Sequence, residues 1–266
     1  MGRSRFRWAI LVLMPGFALA LAAPAAAHYH MLLPQSASGL SEQSATFLIQ
    51  WGHPFEHQLF DAQAPESIIV FAPDGKQTIV AKNIQKVPVG GDGGKDVTAY
   101  QFAFTPMQRG DHTVVVTTPL MWLEHERMFL QDTIKVVYQV QTQKGWDAAT
   151  GGPFEVVPLT RPYGLQPGMV FQGQALVAGK PLAGAMVEVE RYNSTRPKEF
   201  PSEAQITRCV KTDPNGVLTC TLTDAGWWCV TAERDGGKRE RDGKMYPVRQ
   251  RATFWVFVDD APKPTK

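Results

Sequence analysis

Four of the six histidines in this 266-residue chain fall in two short segments, Ala27-His28-Tyr29-His30 and Trp51-Gly52-His53-Pro54-Phe55-Glu56-His57. Imidazole is the commonest protein ligand for late first-row metals, and histidines gathered without thiolate suit Ni(II), Co(II), Cu(II) or Zn(II). All six, at positions 28, 30, 53, 57, 112 and 125, lie in the first half of the chain, and the second half holds none. The bias assigns the first half a task that needs imidazole.

Residues 1–27 read as a cleaved secretory signal: Arg3, Arg5 and Arg7, an apolar run from Trp8 to Leu21, then Ala25-Ala26-Ala27. Cleavage after Ala27 would give His28 a free amine and leave His30 third. Amine, two backbone amide nitrogens and a third-position imidazole form a square-planar set suited to Cu(II) or Ni(II). Cleavage after Ala25 would put His28 third, with the same donors. Alternatively, the amine and imidazole of His28 chelate together and a second histidine completes a brace. The plainer alternative is a frayed polar end.

In the second segment Pro54 biases His53 toward extended backbone. Glu56 is able to ligate an ion or to hold an imidazole from behind. The competing reading is a strand-to-loop corner packed around Phe55, with exposed histidines. His112 follows Gly110-Asp111, where Asp111 could orient it, or it is an ordinary turn histidine. Glu124-His125-Glu126 reads as solvated surface, and Asp132 closes that loop with no assigned role. The candidate metal ligands are therefore His28, His30, His53, Glu56, His57 and His112.

Catalytic motifs are lacking. There is no nucleophile elbow, no phosphate-cradling glycine loop and no His-Glu-x-x-His helix, so a non-enzymatic binding protein is expected. Trp227-Trp228 reads as core and corner packing rather than a sugar platform. Removing residues 1–27 moves the formal charge from +2 to −1, a poor balance for nucleic acid. No stretch beyond the signal is apolar enough to span a bilayer, which implies a periplasmic or secreted chain without stable membrane insertion.

These side chains need a scaffold, and the sequence supplies short runs of Val, Ile, Thr and aromatics divided by turn residues. Ala45–Trp51, Ser67–Phe71, Gln77–Ala81, Val97–Thr105, His112–Thr118 and Asp132–Thr142 read as strands, with Gly90–Gly94 a hairpin tip. Lys144–Pro153 marks a boundary. Beyond it Phe154–Leu159, Val170–Ala178, Ala185–Arg191, Gly226–Ala232 and Arg251–Val258 begin a second set. Glu233–Lys244 reads as a solvated, charged hairpin tip. The fold class is all-β: two tandem immunoglobulin-like or prealbumin-like sandwiches, spanning 28–148 and 149–260, before a disordered tail at 261–266. Cys209 and Cys220 flank the turn Asp213-Pro214-Asn215-Gly216. If Asp213 faces Gly216 the two cysteines pair across a hairpin, and a one-residue bulge would spoil the register.

The segments Ala27–Pro34, Trp51–Glu56, Pro73-Asp74-Gly75 and Arg109-Gly110-Asp111 together resemble a bacterial periplasmic family. It is catalogued as a domain of unknown function and often described as the periplasmic component of a cobalt or nickel uptake system. The likeness continues through Gly179–Ala185, Lys211–Gly216 and Gly226-Trp227-Trp228, which are also similar to prealbumin-like regulatory domains. The resemblance implies nickel or cobalt handling by His28, His30, His53 and Glu56, with a membrane metal transporter as partner. Two other readings stand beside it: a copper enzyme using an N-terminal histidine brace to oxidise polysaccharide, and an adhesive module without metal.

Overall fold

The structure, a computed structural model, describes residues 28–80 and 84–260. The expected signal, the tail at 261–266 and Ala81 of the expected Gln77–Ala81 strand lie outside the described residues. The chain is all-β in sandwich-like sheets, and no described helix is long and apolar enough to cross a membrane.

The largest sheet crosses both halves of the sequence. Its order is Arg208–Lys211, Met186–Arg191, Gly226–Arg241, Lys244–Val258, Met128–Val140, Gly110–Thr117, Ser67–Phe71 and Gln77–Ile79. The join between halves is parallel: Phe129–Val136 pairs with Val248–Trp255. A second sheet runs Tyr29–Pro34, Ala45–His53, Asp96–Phe104 and Gln85–Gly90, with Gln58–Phe60 beside Ala45–His53. A third consists of Phe154–Pro158, Met169–Val177 and Lys180–Pro181, with Val217–Leu222 paired to Met169–Val177.

Strand alternation puts successive side chains of the large sheet into different cores. Ile68, Val70, Val114, Val116, Ile134 and Val136 meet Met31, Phe47, Ile49 and Phe102 of the second sheet. Phe47 and Phe102 stack at 5.0 Å, an arrangement that adds about 0.5–1.5 kcal/mol to their burial. On the opposite face Val187, Val189, Val230, Phe254 and Val256 meet Val156, Phe171, Leu218 and Leu222 of the third sheet. Trp228 belongs to this core, 1% exposed, so packing explains it.

Two expectations in the second half need correcting. The Asp213–Gly216 turn forms, with Asp213 Oδ1 accepting N–H bonds from Asn215 and Val217. The strands it joins do not pair: Cys209 lies opposite Glu188 in the large sheet and Cys220 opposite Phe171 in the third. A chain crossing between sheets leaves no cross-strand register for a Cys209–Cys220 bond, and both thiols are free. The charged segment Glu233–Lys244 is mostly strand. It extends Gly226–Arg241 and Lys244–Val258 as a ribbon closed by Asp242-Gly243, both at positive φ (51° and 75°), the geometry that matches strand twist.

A buried ion pair ties the third sheet to the large one. Lys135 Nζ lies 2.7 Å from Glu155 Oε2, each residue 1% exposed. Burial pushes the lysine down from its ordinary value, partly offset by Glu155. Burial also opposes the Glu155 charge, but Lys135 and the donors of Thr150 outweigh it and hold the carboxyl low. Lys135→Met should destabilise by about 1.5–3 kcal/mol, the value of a charge-assisted hydrogen bond. The effect stays moderate because Glu155 keeps three donors from Thr150 and Gly151. Urea denaturation of variant and parent measures it.

Candidate functional site

The first described strand brings two of the histidines onto one side. Tyr29 pairs with Gly52 and His30 with Trp51, so His28 continues the register opposite His53. The rings of His28 and His53 stand 4.3 Å apart, centre to centre. Trp51 stacks on His28 at 5.5 Å and meets His30 at 4.3 Å. Phe60 closes the cluster, 5.2 Å from His28 and 5.7 Å from His53. A small separate core of Trp51, Ala62, Met121 and Leu130 supports the rings from beneath.

The hairpin carrying His53 has a specific backbone requirement. Gly52 has φ of 150°, and a Cβ there would sit 2.0 Å from the Gln58 carbonyl oxygen, so only glycine permits this closeness to the returning strand. The turn Pro54–His57 ends with His57 in the left-handed region, φ 50°. Residues of the second half clamp that turn. The Phe55 N–H donates to Glu190 Oε1 at 3.0 Å. Asn193 donates through its side chain to the Phe55 carbonyl at 2.6 Å, and through its N–H to the Pro54 carbonyl at 3.0 Å.

His30 is held differently. It is 1% exposed, and its Nδ1 bonds Asp132 Oδ2 at 2.6 Å. Asp132 in turn receives two bonds from Arg251, at 2.8 and 2.6 Å. Burial works against the Asp132 charge, but the Arg251 guanidinium, then His30, hold its carboxyl well below the ordinary range. The Asp132 carboxylate accepts from Nδ1, and Nε2 is buried with no hydrogen-bond partner among the described residues. A carboxylate behind an imidazole is the arrangement that fixes tautomer and ring orientation around metals.

The six candidate ligands do not converge, and among the described residues no three His, Cys, Asp or Glu side chains form a metal-binding group. His28 and His53 pair, whereas His30 is tied to Asp132. Glu56 and His57 turn toward the second half, where His57 meets Tyr192 at 5.9 Å. There Glu56 Oε2 and His57 Nδ1 are buried without hydrogen-bond partners among the described residues, and burial raises the Glu56 carboxyl. His112 belongs elsewhere. Its Nδ1 faces the Gly110 carbonyl at 3.3 Å and its ring meets Phe104, which pairs with Ala45. Ala45 and Trp51 are six residues apart on one strand, about 20 Å at strand rise. Burial lowers the His112 imidazole from its ordinary value, and a core histidine describes it. Asp111, proposed to orient it, instead bonds the Lys144 N–H and the Tyr163 hydroxyl. Sequence reasoning missed Trp51, Phe60, Arg251, Glu190 and Asn193. Only Trp51 and Phe60, an aromatic pair around Gly-His, carried a local signal.

Fold and cluster define an all-β protein with an imidazole–aromatic site at one end of its second sheet. The chain belongs to the DUF4198 family, a domain of unknown function, whose profile matches residues 25–236. None of the curated proteins matches it. Among solved structures it is similar to latent PorU from Porphyromonas gingivalis, at 13% identity and TM-score 0.23, over 87% of this chain and 20% of that one. A DUF4785 family protein from Legionella pneumophila gives 10% identity and TM-score 0.27, over 85% of this chain and 55% of that one. The adhesin InvE of Yersinia pseudotuberculosis gives 10% identity and TM-score 0.21, over 85% and 58%. The chain thus spans about a fifth of PorU and a little over half of the other two.

Proposed function

We propose that this is an exported, non-enzymatic metal-binding protein that holds a late first-row divalent ion at His28 and His53. The observation that carries the reading is the 4.3 Å approach of those two rings on adjacent strands. Signal cleavage after Ala27 would add the His28 amine as a third nitrogen, the brace that the sequence allows. An all-nitrogen set suits Ni(II) and Cu(II), and the affinity order favours copper. The family resemblance favours nickel or cobalt, with periplasmic delivery to a membrane transporter as the role and a prealbumin-like second half as the support. The copper oxidase reading needs a flat, open aromatic surface beside His28; Trp51 is only 7% exposed and packed in a core, which weighs against it.

The test is metal analysis with intact mass on protein recovered from its own compartment. One equivalent of ion is expected at pH 7.5, with a mature chain beginning at His28. His53→Ala should abolish stoichiometric binding and His112→Ala should leave it unchanged. Binding should fail below about pH 6, where ligating imidazoles protonate. Full retention by His53→Ala, or equal retention at pH 7.5 and 5, overturns the reading.

A further inference from the structure

The second half of the chain sets an aromatic pair against the outer side of the second sheet. Tyr192 and Trp227 are neighbours, the Tyr192 N–H donating to the Trp227 carbonyl at 2.8 Å. Between them and the sheet lies a hollow of about 470 Å³. Its floor includes the cross-strand row Leu33, Leu48 and Gln101. Strand alternation turns this row away from Phe47, Ile49 and Phe102, which face the large sheet. A second hollow, of about 370 Å³, borders the same two rings. The tandem tryptophans therefore part company: Trp228 is core, whereas Trp227 is only half-buried and meets Phe257 at 5.1 Å. His28 and His53 line neither hollow.

The lining of the first hollow carries no charged side chain. Its polar side chains are Gln35, which is exposed, and Thr46 and Gln101, which are half-buried. None of the three side chains has a hydrogen-bond partner among the described residues, and the polar atoms of Thr46 and Gln101 are open to solvent. Each amide offers a donor and an acceptor, and the hydroxyl offers both at one atom. In the second hollow the one charged side chain is Arg191, whose Nε donates to the Ala225 carbonyl at 3.1 Å.

We propose that the aromatic pair and its adjoining hollow bind a neutral oligosaccharide. A carboxylate or phosphate would find no cation in the first hollow, and an amine no anion. A wholly apolar ligand would strip water from Gln35, Thr46 and Gln101 and return no bond, a desolvation penalty at each. A pyranose satisfies both sides of the lining. Its hydroxyls donate to and accept from the amides and the threonine, while the C–H bonds on its flat side meet the negative face of an aromatic ring. Because Tyr192 and Trp227 border both hollows, a chain of several rings can cross them. The position between the two halves of the fold is one where ligand sites concentrate.

The probes are cellohexaose and maltohexaose, an extended and a coiled neutral chain, titrated into the mature protein with a chelator present. Saturable NMR shifts are expected at the Trp227 indole N–H for at least one of them, with a Kd of about 1 mM or tighter. The better chain, oxidised at C6 so that each ring carries a carboxylate, should bind at least about tenfold more weakly. Gln101→Ala should lose about two- to tenfold in affinity through a missing hydrogen bond. Trp227→Ala should lose about as much through the missing ring. Trp122→Ala, which alters a different exposed aromatic pair with Tyr246, should leave binding unchanged. No saturation by either neutral chain, equal affinity for the oxidised chain, unchanged affinity in Gln101→Ala or Trp227→Ala, or an equal loss in Trp122→Ala each overturns the proposal. The comparison of neutral and oxidised chains uses the unaltered protein, so it stands even where a variant misfolds.

Discussion

Replacing Asp132 with alanine should destabilise the chain by about 3–5 kcal/mol, a loss that lowers Tm by roughly 6–20 °C in a protein of this size. The reason is the charge left behind. Asp132 is fully buried and holds both the Arg251 guanidinium and His30 Nδ1. Arg251 is 4% exposed and stands over the rings of Tyr29 and Trp51 at 5.2 and 6.0 Å. Without the carboxylate, the guanidinium would sit among aromatic rings with only Glu188, to which it makes no hydrogen bond among the described residues, as counter-charge, and breaking a buried pair costs far more than replacing it whole. The double variant Asp132→Ala with Arg251→Met should therefore recover much of the single variant's loss. The junction is topologically central as well, since Asp132 and Arg251 pair across the parallel join of the two halves and His30 reaches them from the second sheet. Chemical denaturation of both variants decides it. A single-variant loss below about 1 kcal/mol would mean the charges are solvated, contrary to the burial described.

The architecture was legible because its signal is local. The strand Ser67–Phe71 forms with the bounds that its run of β-branched and aromatic residues implies, and the glycine-rich hairpin tip near 90–94 and the Asp213–Gly216 turn form where turn chemistry puts them. Asp213–Gly216 also shows where local reading stops. A turn fixes its own four residues but not whether the flanking strands pair with each other, and these two join different sheets. The charged ribbon Glu233–Lys244 gives no strand signal in sequence because solvated strands lack the apolar alternation that identifies half-buried ones. Of the candidate site, the His28–His53 pair followed from composition and from the Gly-His-Pro motif. The clamp did not: Glu190 and Asn193 lie more than 130 residues from Phe55, and Arg251 lies 119 from Asp132. Nothing in a local window distinguishes Glu190 from other strand glutamates. Its role depends on the first half's turn docking onto the second half.

That docking leads to the second large effect, in the pH dependence of stability. Glu190 is 1% exposed, and burial pushes its carboxyl up to about 8 from an ordinary 4.5. Bonds from Thr207 and the Phe55 N–H pull the other way without overcoming burial, and nearby Glu56 and Glu188 add to the rise. The folded chain therefore keeps a proton at neutral pH that the unfolded chain releases. A raised folded value stabilises fully below the unfolded one and is lost as pH climbs to the folded one. The interval from 4.5 to about 8 corresponds to about 4–5 kcal/mol lost between pH 4.5 and 9. Glu190→Gln keeps an oxygen to accept the Phe55 N–H, offers an amide toward Thr207 and does not titrate. Parent and variant should have similar stability near pH 4.5, and the variant should gain steadily up to pH 9. Measuring the difference between the two by denaturation at each pH cancels the titrating groups that do not interact with Glu190. A difference that stays constant from pH 4.5 to 9 would place Glu190 in contact with water, and the clamp on the turn beside His53 would then be a surface contact instead of a buried one.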